Sequence, residues 1–87
     1  MSISISNQVR VAIMHALEDH AQWVNETQPV VVNSTSDMDL YDIERVIYDV
    51  LSDFDWVDRD DLEDAAVSLA EDFDGVSLYY EGIDINV

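Results

Sequence analysis

The chain contains no cysteine and no lysine, and it has one proline and two glycines among its 87 residues. Without cysteine there is no disulfide, no thiolate metal site and no thiol nucleophile, and redox compartment is not readable from cysteine usage. With Gly75 and Gly82 as the only glycines, a glycine-rich phosphate-binding loop is excluded. The lack of lysine leaves Arg10, Arg45 and Arg59 to face 20 aspartates and glutamates, for a formal charge of −17. That balance excludes binding to nucleic acid through a basic surface, which works by displacing counterions from phosphates. It also argues against docking on anionic lipid. No apolar run approaches the roughly 18 residues of a membrane span. Residues 1–7 carry no basic side chain, and Arg10 and His15 interrupt the first apolar stretch. A secretory signal is therefore not expected, and a cytoplasmic protein is.

What is present suffices for one folded domain over residues 1–87. Hydrophobic residues make up 48% of the chain, whereas disordered chains combine high charge with few apolar groups. Residues 2–6 alternate serine and isoleucine, which predicts a short strand with Ile3 and Ile5 on one face. Ser6 or Asn7 then caps a helix over about residues 8–25, with an apolar stripe of Val9, Ala12, Ile13, Ala16, Leu17 and Val24. Pro29 ends that segment, residues 30–32 read as a short extended piece, and residues 33–36 form a turn cluster.

A second helix is predicted over 38–54, striped by Leu40, Ile43, Ile47, Val50, Leu51 and Phe54. A third is predicted over 59–73, with Asp58 as cap, Asp61 three residues later in a capping-box place, and Val57 stapling to Leu62. Leu62, Ala65, Ala66, Leu69 and Phe73 form its inner face, and Gly75 supplies a left-handed stop. Residues 76–87 read as a hairpin turning at Glu81-Gly82. The expected fold is α+β: three helices packed on a small antiparallel sheet that includes the C-terminal hairpin, joined by residues 2–6. An all-helical bundle with an extended tail is the alternative.

The acids are uneven. Residues 1–36 carry a net charge of −2 and residues 37–87 a net charge of −15. Opposite its apolar stripe the second helix presents Asp42, Arg45, Asp49, Ser52 and Asp53, flanked by Tyr41 and Tyr48. The third presents Asp60, Asp64, Val67, Ser68 and Glu71, and Asp55, Trp56 and Asp58 lie in the turn before it. Like charges one helical turn apart, as in Asp49/Asp53 and Asp60/Asp64, each cost a helix ~0.2–0.5 kcal/mol. No lysine is interleaved to remove that cost. Carboxylates at such spacing sit ~5–6 Å apart at Cβ, against one phosphate per ~3.4 Å of strand in duplex DNA. A two-helix ridge of this kind fits a basic groove built for a phosphate backbone.

The segments Asp39-Leu40-Tyr41-Asp42-Ile43-Glu44 and Asp53 to Asp64 carry most of this pattern. In size, charge and charge clustering over residues 37–74, the chain resembles the small acidic inhibitors encoded by phages and mobile elements, the DNA-mimic anti-restriction and anti-CRISPR proteins. These share no residue motif, so no functional residue is carried over. The resemblance implies a non-enzymatic inhibitor without a cofactor, whose target is a basic nucleic-acid-binding protein of the host cell. The expected contact residues are Asp42, Asp49, Asp53, Asp55, Trp56, Asp58, Asp60, Asp61, Asp64 and Glu71, with Tyr41 and Tyr48 as further aromatic anchors. Of Trp23, Tyr41, Tyr48, Trp56, Tyr79 and Tyr80, most are nevertheless expected at the core or its edge by their spacing. Val67, apolar on the outer side of its helix, calls for cover by residues 27–33 or by a second copy of the chain.

Other readings of the same residues differ in kind. An immunity protein or antitoxin capping a basic nuclease uses the same physics. A halophile domain carries such charge as adaptation to molar salt, where repulsion is screened within ~3 Å, although that adaptation should acidify both halves. The stretch from Asp60 to Phe73 is similar to the recognition helix of acyl carrier proteins, but Asp61 stands where the modified serine would be. Calcium loops fail on spacing: counted from Asp53, position 5 is Val57, and counted from Asp58 it is Leu62. His15 and His20 are five apart, not the four of a helical zinc pair, and His15 with Asp19 reads as an ordinary hydrogen-bonded pair. No metal site is expected.

Overall fold

A computed structural model describes residues 4–28 and 37–86. In chain order the elements are α1 (Ile5–Thr27), α2 (Leu40–Asp53), α3 (Arg59–Ala70), β1 (Ser77–Tyr80) and β2 (Ile83–Asn86). The fold is α+β, three helices with a C-terminal two-stranded antiparallel hairpin packed against them. The extended piece at 30–32 and the turn cluster at 33–36 lie outside the described residues, as do Ile3 and Val87.

The N-terminal strand is corrected. Ser4 is the N-cap of α1, its hydroxyl accepting a hydrogen bond from the Asn7 amide at 3.3 Å, and Ile5 is already helical. Neither Ser6 nor Asn7 is the cap. A Ser-Ile alternation five residues long offers period-2 spacing, but Ile5 also stands one turn before Val9. Ile5 packs on the core beside the stripe of Val9, Ile13, Leu17, Ala21 and Val24, and that burial decides the conformation. The described sheet therefore consists of the hairpin alone.

α2 starts one residue after Asp39, whose side chain accepts from the Tyr41 amide at 3.2 Å. Asp58 occupies the N-cap position of α3 but makes no capping hydrogen bond through its side chain, so the expected capping box does not form. Val57 and Leu62 are both buried in the one core, as a staple requires. α3 ends at Ala70, three residues earlier than expected, and a run of turns carries the chain to Gly75. Gly75 has φ +87°, and a Cβ there would lie 3.3 Å from Leu40 Cδ1, so glycine both stops the segment and lets α2 approach.

The helices do not form a simple layer. α1 packs against both α2 and α3, β1 packs against α2, and β2 packs against α3. The five elements thus enclose a single apolar core, to which the hairpin contributes Tyr80, Ile83 and Ile85. The Ser77 amide donates to Glu44 Oε2 at 2.8 Å, which ties the start of β1 to α2. Tyr80 pairs with Ile83 across the turn. Glu81 (φ +42°) and Gly82 (φ +94°) both lie in the left-handed region, as a type I′ hairpin turn demands.

Glu81 is the strained member of that pair, since left-handed backbone costs a non-glycine residue ~1–2 kcal/mol and asparagine tolerates it best. Glu81→Asn should therefore stabilise the domain by about 0.5–1 kcal/mol, raising the midpoint of a thermal melt followed by circular dichroism by about 2–6 °C. An unchanged or lowered midpoint would contradict the turn geometry.

Candidate functional site

Every expected contact residue lies at the surface. Asp49, Asp53, Asp55, Trp56, Asp58, Asp60, Asp64 and Glu71 are exposed, and Asp42 and Asp61 are half-buried. Burying a carboxylate without a partner costs several kcal/mol, and no polar or charged residue is buried among the described residues.

The fold does not assemble these residues into one ridge across two adjacent helices. α2 and α3 converge at the turn 54–58, but α1 packs between them elsewhere, and the acids fall into three groups. Asp42, Asp49 and Asp53 border the groove between α1 and α2. Asp64 and Glu71 border the groove between α1 and α3. Asp55, Trp56 and Asp58 occupy the turn, with Asp60 and Asp61 in the first turn of α3. The sequence places residues on faces of single helices, and it is the packing of α1 that separates the faces.

Each groove also recruits residues from α1 that the charge pattern did not single out. Asp19, His20 and Trp23 join the first, and Ser6, Asn7 and Arg10 join the second. His20 Nε2 lies 3.8 Å from Asp42 Oδ2, a charged pair only when the imidazole is protonated. The expected pairing of His15 with Asp19 is absent among the described residues; His15 is exposed. Their spacing one turn apart allowed the contact, but the acid facing His20 from α2 was not visible in local spacing. Val67 is half-buried against the core and lines the α1–α3 groove, so the N-terminal half of α1 supplies cover.

Aromatic placement is corrected as well. Trp23, Tyr41, Tyr48, Trp56 and Tyr79 are all exposed, while Tyr80 and Phe73 are buried. Trp56 is 70% exposed and its ring lies 6.0 Å from that of Phe54. Tyr48 stacks edge-on against Tyr80 at 5.1 Å. Trp23 lies 5.5 Å from the His20 ring. Core positions on the helices are filled by aliphatic side chains, which leaves the aromatics at the margins of the stripes.

The electrostatics are poorly compensated. Besides His20–Asp42, the ion pair among the described residues is Arg10–Asp72, at 3.9 Å. Asp42, Asp60 and Asp61 stand in the first turns of their helices, where the helix dipole favours a negative charge. Asp49 and Asp53 stand in the C-terminal half of α2, whose last turn holds no basic residue. There the dipole and their mutual repulsion both disfavour them. Asp53→Asn should accordingly stabilise the domain by about 0.5 kcal/mol at low ionic strength. Thermal melts should show that gain shrinking in high salt, where the charges are screened.

Tyr80 is the titrating group whose surroundings act most clearly. Burial pushes its hydroxyl above the ordinary value of 10.0, the charge of Glu81 adds to the rise, and the Ser52 hydroxyl works the other way. The raised folded-state value means that the neutral phenol is favoured by folding. Its contribution is complete below about pH 10, the unfolded value, and is lost as pH climbs through the folded one. Urea unfolding between pH 8 and 11 (about two units below to one above the tyrosine value) should show stability falling at the alkaline end. Tyr80→Phe should flatten that fall.

No model of a known protein family matches the chain, no curated protein matches it, and no solved structure matches it. No described helix is long and apolar enough to cross a membrane. Among the described residues no group of three or more His, Asp or Glu side chains is placed to hold a metal ion.

Proposed function

We propose that this chain is an inhibitor that occupies the nucleic-acid-binding site of a basic protein, its carboxylates standing in for phosphates. The observation that carries the reading is the position of Asp49 and Asp53. They are exposed, unpaired by any cation among the described residues, and set at the unfavourable end of the α2 dipole. Charge retained against stability is expected where it serves a partner. The concentration of acid in residues 37–87 supports the same reading over salt adaptation. A basic partner approaching such a field associates quickly by electrostatic steering and is released by salt. The reading implies action in the cytoplasm of a host cell and no chemical step by the chain itself. An immunity protein for a basic nuclease is the nearest variant, with a cognate toxin as its partner.

The test is competition. The immobilised chain is used to capture proteins from host lysate at low salt, and a duplex DNA oligomer or high salt is then applied. A mimic's partner is released by both, and capture is lost when Asp49, Asp53, Asp60 and Asp64 are changed together to Lys with the circular dichroism spectrum unchanged. A captured protein that holds DNA and this chain at once, or capture that survives the four reversals, would sink the proposal. So would a chain that folds only in molar KCl.

A further inference from the structure

The groove between α1 and α2 combines features that an acidic surface alone does not have. Its floor is aliphatic, formed by Val24 of α1 with Val46 and Val50 of α2. Its rim is carboxylate, formed by Asp19 on one side and by Asp42, Asp49 and Asp53 on the other. Two depressions of about 460 and 420 Å³ share His20, Val46 and Asp49, so the trough is continuous. From Asp42 to Asp53 it follows α2 for roughly 16 Å at the helical rise. At one end stands Trp23, 50% exposed, with its ring 5.5 Å from that of His20.

An apolar floor under a carboxylate rim complements a side chain that is apolar along its stem and cationic at its head. Lysine and arginine are built that way. Arginine fits better, because its guanidinium stacks on tryptophan and forks onto carboxylates, and it gives up water more readily than an ammonium group. An anionic ligand would be repelled by the rim. A purely apolar segment would bury four carboxylates with only Arg45 and His20 of the chain itself to offset them. We infer that the α1–α2 groove docks arginine side chains of the basic partner, their stems on Val24 and Val46 and their guanidinium groups between Trp23 and the carboxylates of Asp42 and Asp49. This rests on the reading that the partner is a basic protein, and it places the strongest contacts in this groove rather than in the acidic turn around Trp56.

Arg45 gives the inference a directional consequence. It is exposed, lines the same groove, lies one helical turn from both Asp42 and Asp49, and has no ion-pair partner among the described residues. The chain's own cation thus competes with an incoming guanidinium, and its removal strengthens docking.

The experiment uses the full chain with Trp56→Phe, which leaves Trp23 as the sole tryptophan, and a labelled hexa-arginine peptide in about 20 mM NaCl, where charges are weakly screened. Peptide anisotropy and Trp23 emission are followed together. The two signals should saturate with one Kd. Arg45→Gln should tighten that Kd by about threefold or more, and Asp42→Asn with Asp49→Asn should weaken it by about tenfold. Hexa-lysine should bind more weakly than hexa-arginine. Each variant is read only where its circular dichroism spectrum matches that of the parent chain, so that a tighter Kd for Arg45→Gln reports on the folded groove and not on an unfolded polyanion. If anisotropy reports binding while Trp23 emission stays flat and Arg45→Gln changes nothing, the groove is not the docking site, although a basic partner elsewhere on the surface stands. If neither signal reports binding, the inference and the basic-partner reading fall together.

Discussion

Repulsion among twenty carboxylates with three arginines to offset them is the constraint this fold must satisfy. Such self-repulsion opposes compaction, and it is tolerable only where every charge stays in contact with water. The structure meets that condition by keeping every carboxylate out of the core: no charged residue is buried among those described, and the hydroxyl of Tyr80 is the polar group the core admits. The enclosing elements each offer one stripe inward, and the large fully buried side chains are aliphatic, Ile13, Leu17, Ile43, Ile47, Leu51, Leu62 and Ile85 among them. Burial at ~25 cal/mol per Å² of apolar surface supplies the driving force.

The placement of α1 also spaces the acids. Because α1 packs against both α2 and α3, the acidic faces of those two helices are kept apart except at the 54–58 turn. An arrangement with α2 and α3 side by side would have brought two rows of carboxylates within a Debye length, ~8 Å at physiological salt. α1 carries fewer acids than either α2 or α3, although it is the longest helix, and its exposed outer face includes Val11 and Met14. Some acids are used structurally: Asp39 caps α2, and Glu44 receives the Ser77 amide and holds the hairpin to α2. Asp19, Asp42, Asp49, Asp53, Asp64 and Glu71 fall along the two grooves beside α1, where a partner can bury surface as well as neutralise charge.

Much of this was legible in the sequence, and most of what was not depends on how the helices pack. The stripes of α2 and α3 and the left-handed positions at Gly75 and Glu81-Gly82 are local properties, set by helical period and by backbone sterics, and they read directly from residue order. The N-terminal alternation did not, because a five-residue pattern fits both a strand and the first turn of a helix. Only the packing of Ile5 on the core distinguishes them. The individual carboxylates were readable as exposed, but their grouping was not. Asp19, His20 and Trp23 belong to the α1–α2 groove because two helices distant in sequence are packed there, and no spacing along one helix announces that. The aromatics misled for the opposite reason, since their size suggested core positions that aliphatic side chains fill instead.

Their exposure bears on the two accounts of the charge. Adaptation to salt accounts for carboxylates and a lack of lysine, but it gives no reason for two tryptophans to stand half or more in solvent beside them. Interfaces are enriched in aromatics relative to the rest of a surface, while lysine, aspartate and glutamate are all depleted there, so it is the tryptophans rather than the carboxylates that set a contact surface apart from a salt-adapted coat. On the proposed reading the two kinds of residue divide the work. The distributed carboxylates govern the rate of encounter, a long-range effect that salt suppresses. Trp23 and Trp56 act only at contact, where desolvated aromatic anchors govern how long a complex persists. Salt would then slow association more than it shortens the life of the complex, whereas a purely electrostatic coat would have little to hold a partner once the field is screened.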